Sequence, residues 1–254
     1  MHLRPDHAVH DLPTLHAFIR AHPLGIVTTS LPSESFPTLQ CTHIPWVLDS
    51  DSSVETHSNR PNGSQSNENT SFLGVLHGHM ARANPHSKAM VEAVTNAPEQ
   101  PHLPGEMLIV FTSPVDHYIT PSFYTESKST RKAAVQVYGR ATLYHDPTDD
   151  ATGEFLHRQL YDLARLGEEG VMGYQRDSAN HHAWNLDEAP PEYIATLKKN
   201  IVGMRVEITR IEGRFKVSQE KGDRDRRGVV DGLEGLQTER AREMAALVKS
   251  GVVS

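Results

Sequence analysis

Three histidines, His77, His79 and His86, lie close together in the stretch "GVLHGHMARANPHSKAM", residues 74–90. Imidazole is the commonest metal-binding side chain. His77 and His79 are two residues apart, so in a strand both would project from one face and could reach one ligand. Zinc would need at least a third protein ligand, for which His43 in "CTHIPW" is the candidate. Because the chain has 16 histidines, such proximity arises easily by chance. We therefore expect hydrogen-bonded pocket histidines and no metal site.

Nucleophilic catalysis and nucleotide binding often leave recognisable local motifs, and three common ones are absent from this sequence. It has no Gly-x-Ser-x-Gly nucleophile motif. It has neither the Gly-x-Gly-x-x-Gly run of dinucleotide-binding folds nor the glycine-rich run ending in Gly-Lys-Ser/Thr that forms P-loops. The single cysteine, Cys41, lies among apolar residues of an expected strand, so we interpret it as a core thiol.

Small hydroxyl groups and cations recur near the ends of expected strands, a pattern suited to a phosphate. The charged oxygens of a phosphate are held best by charge-assisted hydrogen bonds, here from several chain segments. The candidate donors are Thr28, Thr29, Ser122, Tyr124, the run from Lys128 to Lys132, Lys216, Ser218 and Gln219. Each of them alone is typical of ordinary surface, so the pattern predicts a site only where the fold gathers them.

Hydrophobic periodicity and capping residues predict the elements that must position these groups. The predicted helices are residues 11–22, capped by Asp11, then 84–94, 146–166, 190–199 and 235–250. The predicted strands are 24–31, 38–49, 72–80, 106–114 and 133–146, followed by two strands within 201–219. Most strands are joined by short connections or hairpins. This order favours an α+β protein, mainly β, built as an antiparallel barrel with peripheral helices.

Three local features carry more specific predictions. Gly139 lies inside a long expected strand and indicates a bend or bulge there. Glu212-Gly213 is the expected turn between the two strands of 201–219. Residues 50–71 are rich in serine and asparagine and have no periodicity, so we interpret them as a flexible insertion between strands.

Composition excludes several classes of protein. The net charge of −7 over 254 residues argues against general nucleic-acid binding, which needs a positive face. No apolar run approaches the length that crosses a bilayer, so no membrane partner is expected. One cysteine and the absence of a secretion signal predict a cytoplasmic protein, with the nucleus as the open alternative.

Several stretches resemble the FMN-binding split-barrel proteins related to the PaiB-type negative transcriptional regulators, a pyridoxamine-phosphate-oxidase-like group. They occur in the order of that family and span most of residues 1–230. The His-Met-Ala-x-x-Asn-Pro run and the Phe-Lys-x-Ser-Gln run are the more specific of them. The matching stretches are "GIVTT" (25–29), "THIPWVLD" (42–49), "LHGHMARANP" (76–85), "VFTSPVDHYITPSFY" (110–124), "AVQVYGRA" (134–141) and "IVGMRVEITRIEGRFKVSQ" (201–219).

This resemblance implies a six-stranded antiparallel split barrel that forms a homodimer, with FMN bound where two subunits meet. It implies one domain over residues 1–230 with the insertion at 50–71, and a helical extension over 231–254. The cofactor contacts that it implies are Thr28, Thr29, His43, His79, Met80, Asn84, Ser122, Tyr124, Arg131, Lys216, Ser218 and Gln219. Among these, Lys216 and Arg131 are the expected phosphate cations, and Ser122, Ser218 and Gln219 the neutral donors.

The chain departs from the family pattern at one place. Family members usually carry a Val-Pro-Thr-Trp-Asn-Tyr-type run before the strand that matches "AAVQVYG", whereas here "SKSTRK" is joined to that strand directly. The departure bears on FMN affinity, because the family's run forms part of the flavin pocket.

Three functions fit the sequence. The first is an FMN-dependent oxidoreductase, with the flavin supplying the redox chemistry, His43 and His79 as the candidate proton-transfer groups, and the substrate and electron donor undetermined. The second is a metabolic or transcriptional regulator that acts through partners, since no helix-turn-helix motif is present. The third is a haem-binding split barrel, with histidine or methionine as axial ligand.

Overall fold

The computed structural model describes residues 2–51, 72–100, 102–115, 117, 119–124, 133–178, 180–216, 218 and 220–250. Most of the predicted insertion, residues 52–71, lies outside this part of the chain. The described residues form an α+β protein built on an antiparallel sheet, which confirms the predicted class. None of the described helices is long and apolar enough to span a membrane.

Eight strands form one sheet in the described part of the chain, with the order β3-β2-β6-β7-β8-β5-β4 and β1 paired to β8. The predicted number of six strands is therefore not confirmed; two of the eight, β1 and β4, are only two and three residues long. The strands are β1 (Ala8–Val9), β2 (Leu24–Ser30), β3 (Leu39–Pro45), β4 (Val47–Asp49), β5 (Val75–Ala81), β6 (Met107–Thr112), β7 (Ala133–Tyr144) and β8 (Ile201–Phe215).

Six α-helices accompany the sheet in the described residues. They are α1 (Leu12–Ala21), α2 (Pro85–Thr95), α3 (Asp150–Arg165), α4 (Pro191–Lys199), α5 (Asp223–Gly235) and α6 (Glu239–Ser250). Short 3₁₀ turns lie at Pro121–Phe123 and Leu186–Glu188, and a π-helical turn at Leu166–Val171 follows α3. The predicted domain boundary at residue 230 falls inside α5, and the division of the chain at that point stays a prediction.

The chain divides into two compact units. Unit 1 consists of Met1–Gly25, Val110–Val137 and Ile211–Ser254, and unit 2 consists of Ile26–Ile109 and Tyr138–Arg210. Each unit draws on distant parts of the sequence, so neither corresponds to a continuous stretch of chain.

The core of unit 2 follows from the alternation of side chains along β5. Leu76 and Met80 project to one face of the strand and are 0% and 2% exposed. Their antiparallel neighbours on β8 are Val206 and Val202, both fully buried. Because these apolar side chains line one face continuously, removal of their surface from water stabilises the strand pair.

The core of unit 1 is formed largely by its last two helices. Buried side chains of α5 and α6 pack with Ile119 and Tyr124 in one apolar cluster. The helical members of the cluster are Val229, Val230, Leu233, Ala241, Met244, Ala245 and Val248. The helix predicted near residues 235–250 is present as α6, whereas α5, which precedes it, was not predicted.

Strand β8 is continuous, so the predicted turn at Glu212-Gly213 was wrong. Gly213 pairs with Val9 of β1, and a Cβ at this position would overlap the side chain of Leu15 on α1. The glycine therefore allows α1 to approach the strand closely and does not reverse the chain.

Arg82 joins three chain segments of unit 2 through carbonyl oxygens. Its Nε donates to Lys199 O at 3.0 Å, and its Nη2 donates to His145 O at 2.7 Å and to Ile201 O at 3.1 Å. Lys199 is the last residue of α4, where the helix dipole favours a cation. The planar guanidinium therefore holds the end of α4 beside the end of β7 and the start of β8.

We expect Arg82→Lys to lower the free energy of unfolding by about 2 kcal/mol, because the single nitrogen of a lysine cannot occupy the separate positions from which Nε and Nη2 reach the three carbonyls. Urea denaturation measures the change. The matched control is Arg158→Lys, since Arg158 is 66% exposed and forms an ion pair with Asp162 at 3.7 Å; we expect a change below about 0.5 kcal/mol there. Equal effects of the two substitutions would contradict the role given to Arg82.

Candidate functional site

His86 is placed in unit 2 by the local sequence at the start of α2. The side chain of Asn84 accepts a hydrogen bond from His86 N at 2.9 Å and caps the helix. Pro85 occupies the first helical position, where its missing N–H is tolerated. These two residues fix the helix start and direct His86 into the interior, where it is 1% exposed.

The imidazole of His86 links two strands to α2. Its Nε2 is 2.8 Å from Thr29 Oγ1 on β2, and its Nδ1 is 2.9 Å from Thr42 Oγ1 on β3. A neutral ring donates to one hydroxyl and accepts from the other, so both ring nitrogens are satisfied. Burial lowers the pKa of His86 to about 4. His86 is therefore a neutral structural histidine at pH 7, and Thr29 and Asn84 take part in the same structural network.

His79 and Met80 project from opposite faces of β5. The register pairs His79 with Gly203 and Met80 with Val202 on β8. His77 and His79 share one face, as predicted, whereas Met80 belongs to the opposite, buried face. A ligand that lies against one face of β5 can contact the side chain of His79 or that of Met80, but not both. The two residues were predicted to line one site, and the structure places their side chains on opposite faces of the strand.

The face of β5 that bears His77 carries aromatic side chains together with the charged side chain of Arg205. The His77 ring meets Phe155 of α3 edge to face at 5.7 Å, and Phe155 stacks on Tyr144 of β7 at 3.8 Å. Burial, with Arg205 nearby, lowers the pKa of His77 to about 4. Burial also lowers the pKa of His79, whose Nδ1 makes no hydrogen bond within the described residues. No group of three or more metal-ligating side chains occurs anywhere among the residues that the structure describes.

The outward positions of β2 and β3 carry the remaining predicted residues of unit 2. Thr28 is half-buried between the buried Val27 and Thr29. His43 is exposed, and so is Cys41 two residues before it. The interpretation of Cys41 as a core thiol was wrong, because alternation along β3 turns it to solvent while Thr42 faces His86.

Four predicted residues of unit 1 lie just after β8 or in and directly after the 3₁₀ turn Pro121–Phe123. Ser122 is exposed, and Tyr124 is 8% exposed within the apolar cluster of α5 and α6. Lys216 follows β8 directly and is half-buried, and Ser218 is 1% exposed. Two further predicted phosphate contacts, Arg131 and Gln219, lie outside the described residues.

Ser218 has an unusual combination of backbone and side-chain properties. Its φ is 70°, in the left-handed region that non-glycine residues rarely adopt. Its hydroxyl is buried and makes no hydrogen bond to any described residue. Lys221 N donates to Ser218 O at 3.0 Å and closes a turn. We call Lys216, Ser218, Glu220 and Lys221 the Ser218 turn.

The Ser218 turn meets the predicted Tyr124 through a residue that the sequence did not single out. Lys221 Nζ lies 6.0 Å from the centre of the Tyr124 ring, a distance at the outer limit of a cation–π interaction. Two of the predicted groups, Tyr124 after the 3₁₀ turn and the segment after β8, are therefore brought together. Residues 216–221 thus contain two lysines and a buried hydroxyl, which are side chains of the kind that bind an anionic oxygen ligand.

Comparison with known proteins decides the family. Residues 1–210 match the model of the family described as "Putative FMN-binding domain". The chain belongs to this family. A protein of Bacillus subtilis, protease synthase and sporulation protein PAI 2, is 25% identical over 146 residues, covering 57% of this chain and 62% of that protein. Together these matches confirm the resemblance to the PaiB-type FMN-binding family.

Two fungal relatives are similar along nearly their whole length. An uncharacterised protein of Aspergillus fumigatus is 42% identical over 262 residues, covering 98% of this chain and 97% of its own. An uncharacterised protein of Emericella nidulans is 40% identical over 261 residues, covering 98% of this chain and 96% of its own.

Among solved structures, the flavocytochrome Anf3 of Azotobacter vinelandii matches this member of the FMN-binding family with a TM-score of 0.44 and 14% identity, over 85% of this chain and 72% of that one. A conserved hypothetical protein of Mycobacterium tuberculosis matches with a TM-score of 0.45 and 11% identity, over 85% of this chain and 90% of that one.

Sequence reasoning missed three residues at the Ser218 turn: His7, Glu220 and Lys221. Lys221 and Glu220 directly follow the recognised "FKVSQ" run, so extending that run by two residues would have found them. His7 lies near the other end of the chain, and no local pattern connects it to residue 220. The pairing of β1 with β8 brings the N-terminal segment that contains His7 to the end of β8.

Proposed function

We propose that this protein binds FMN and that the Ser218 turn holds the phosphate of the cofactor. The observation that carries the proposal is the buried hydroxyl of Ser218, which has no partner among the described residues and lies between Lys216 and Lys221 in sequence. Buried hydroxyls are nearly always hydrogen-bonded, so this one suits a ligand oxygen. Membership of the FMN-binding family supplies the identity of that ligand.

The charges of the turn fit a phosphate monoester. Lys216 and Lys221 supply two positive charges, and the Ser218 hydroxyl supplies a neutral donor. Glu220 is the one acidic residue of the turn, but His7 lies 3.3 Å from its Oε2 and Lys221 lies 3.8 Å from its Oε1. The carboxylate is thus directed toward these two side chains. Arg131, Gln219 and Ser122 stay proposed as additional phosphate donors.

Some predicted contacts in unit 2 stay in the proposal and others do not. Thr28 and His43 are not buried, and His79 has a nitrogen without a hydrogen bond in the described chain, so these three remain proposed flavin contacts. Thr29 and Asn84 already bond to His86, and Met80 is a core residue. When bound, the isoalloxazine ring accepts and donates electrons, which would make the protein an oxidoreductase.

The proposal is tested by titrating the protein with FMN and following flavin fluorescence and visible absorption. We expect saturable binding by the wild type, and a loss of about tenfold or more in affinity for Ser218→Ala and for Lys216→Ala, because each removes a donor to a charged phosphate. Lys249→Ala is the control, since Lys249 is 57% exposed and pairs with Glu234. We expect its affinity to stay within about twofold of wild type.

Two results would contradict the proposal. One is a wild-type protein that does not bind FMN at millimolar concentration. The other is a wild-type affinity that survives both Ser218→Ala and Lys216→Ala. Size-exclusion chromatography of the same samples tests the predicted homodimer, and a haem titration tests the alternative cofactor. A regulatory role through partner proteins also stays a prediction from the sequence.

A further inference from the structure

His7 contacts the chain on both sides of the Ser218 turn. Its carbonyl oxygen accepts a hydrogen bond from Phe215 N at 2.9 Å, immediately before Lys216. Its side-chain Nε2 lies 3.3 Å from Oε2 of Glu220, after Ser218. One residue of the N-terminal segment therefore holds both ends of the stretch that contains Ser218.

The side-chain contact is buried. The side chain of His7 is 1% exposed and that of Glu220 is 14% exposed. Nε2 of His7 lies at ion-pair distance from Oε2 of Glu220. Loss of the His7 imidazole would leave a largely buried carboxylate without that partner.

The carboxylate of Glu220 stays ionised in this environment. Burial acts to raise its pKa, but its own backbone N–H, His7 and Lys221 act in the opposite direction and hold the pKa below its usual value. An ionised Glu220 attracts the ammonium of Lys221, whose Nζ is 3.8 Å from Oε1. The position of Lys221 thus depends on where His7 holds the carboxylate.

The backbone alone does not account for this arrangement. Ala8 and Val9 pair with Arg214 and Gly213, which secures the end of β8 without any contribution from the His7 ring. The ring reaches past the strand to Glu220. Its contact acts on the turn and is separate from the strand pairing.

We infer that His7 and Glu220 are positioning residues that hold the Ser218 hydroxyl and the Lys221 ammonium for a phosphate monoester, and so make the site selective for FMN over riboflavin. The inference rests on the proposed function and goes beyond it, since it assigns phosphate recognition to a buried pair that does not touch the phosphate. Riboflavin shares the isoalloxazine ring and lacks the phosphate, so it reports on the rest of the site.

The test compares the affinities of FMN and riboflavin in wild type, His7→Phe and Glu220→Gln. Phenylalanine keeps a ring of similar size, and glutamine keeps the shape of Glu220 while removing its charge. We expect each variant to lose about tenfold in FMN affinity, which corresponds to about 1.4 kcal/mol, with riboflavin affinity unchanged within about twofold. His10→Phe is the matched control, because His10 is exposed three residues further along the same segment; its affinities should equal those of the wild type.

The outcomes separate the two proposals. A wild type that binds neither flavin overturns the proposed function, and the positioning role with it. A wild type that binds FMN, with variants of unchanged FMN affinity, overturns the positioning role alone. Equal losses for FMN and riboflavin indicate a general structural effect and also overturn it. If His7→Phe fails to fold, as judged by circular dichroism, the Glu220→Gln variant alone decides the matter in the same way.

Discussion

We expect Gly139→Ala to lower the free energy of unfolding by about 2–3 kcal/mol, because the strand has no room for a methyl group at this position. Gly139 lies within the uninterrupted strand β7. A Cβ there would be 2.5 Å from the backbone oxygen of Glu207 and 2.6 Å from Cγ1 of Val206. The first of these atoms belongs to the backbone of β8, so the overlap cannot be relieved by a rotamer change. The strands themselves must move apart.

The same substitution in α3 provides the control. A Cβ at Gly153 would meet nothing within 4 Å, and alanine has the higher helix propensity. Gly153→Ala should therefore raise the free energy of unfolding by up to about 1 kcal/mol. Urea denaturation of both variants at pH 7 measures the difference. A Gly139→Ala protein as stable as the wild type would show that β7 and β8 are not packed this closely.

The elements that could be predicted from the sequence are those set by local interactions. Asp11 caps α1 by accepting a hydrogen bond from Thr14 N at 2.9 Å, and Asn84 caps α2, as their residue types and positions indicated. The start of α3 was misplaced at Asp146, although the same chemistry applies there. Asp146 accepts from Thr148 N at 2.8 Å and forms a turn, while Asp149 accepts from Thr152 N and caps the helix. Two neighbouring aspartates compete, and local pattern alone does not rank them.

The glycines show the limit of local reasoning more clearly. Gly139 was interpreted as a bend or bulge and Gly213 as a turn, because glycine often has these roles. In the structure each glycine admits a neighbouring segment: the backbone of Glu207 at Gly139, and the side chain of Leu15 at Gly213. The reason for each glycine lies on another element, so it could not be predicted without the fold.

Some residues of the candidate site could likewise be predicted from local sequence, and others could not. Lys216, Ser218 and Tyr124 came from recognised runs, and the structure joins Tyr124 to the Ser218 turn through Lys221. His79 and Met80 came from one run as well, but strand alternation places them on opposite faces. His7 could not be found by any local rule, because its partner Glu220 lies near the other end of the chain.

Acidification should destabilise the protein through His86. Burial holds its pKa at about 4, against an ordinary value of 6.5 for an unfolded chain. Between these two values the unfolded state binds a proton that the folded state does not, so stability falls as the pH falls. The contribution of the neutral His86 ring to the free energy of unfolding is complete above about pH 6.5 and is lost by about pH 4. The lowered pKa of His86 alone should reduce the free energy of unfolding by about 2 kcal/mol between neutral pH and pH 5. The full reduction, reached at lower pH, is about 3 kcal/mol.

His77 acts in the same direction, since its pKa is also lowered to about 4. The contribution of His86 is isolated by His86→Gln, which cannot titrate. Glutamine cannot reproduce both ring nitrogens, so one of the hydroxyls of Thr29 and Thr42 loses its partner. We expect the variant to be about 1–3 kcal/mol less stable than wild type at pH 7.

The decisive quantity is the slope of stability against pH, measured by urea denaturation at several values between pH 7 and pH 5. Wild type should lose about 2 kcal/mol more than His86→Gln over this range. His157→Gln, at an exposed position of α3, should keep the wild-type slope. Parallel slopes for wild type and His86→Gln would mean that folding does not change the pKa of His86, and would contradict a buried neutral ring bonded to Thr29 and Thr42.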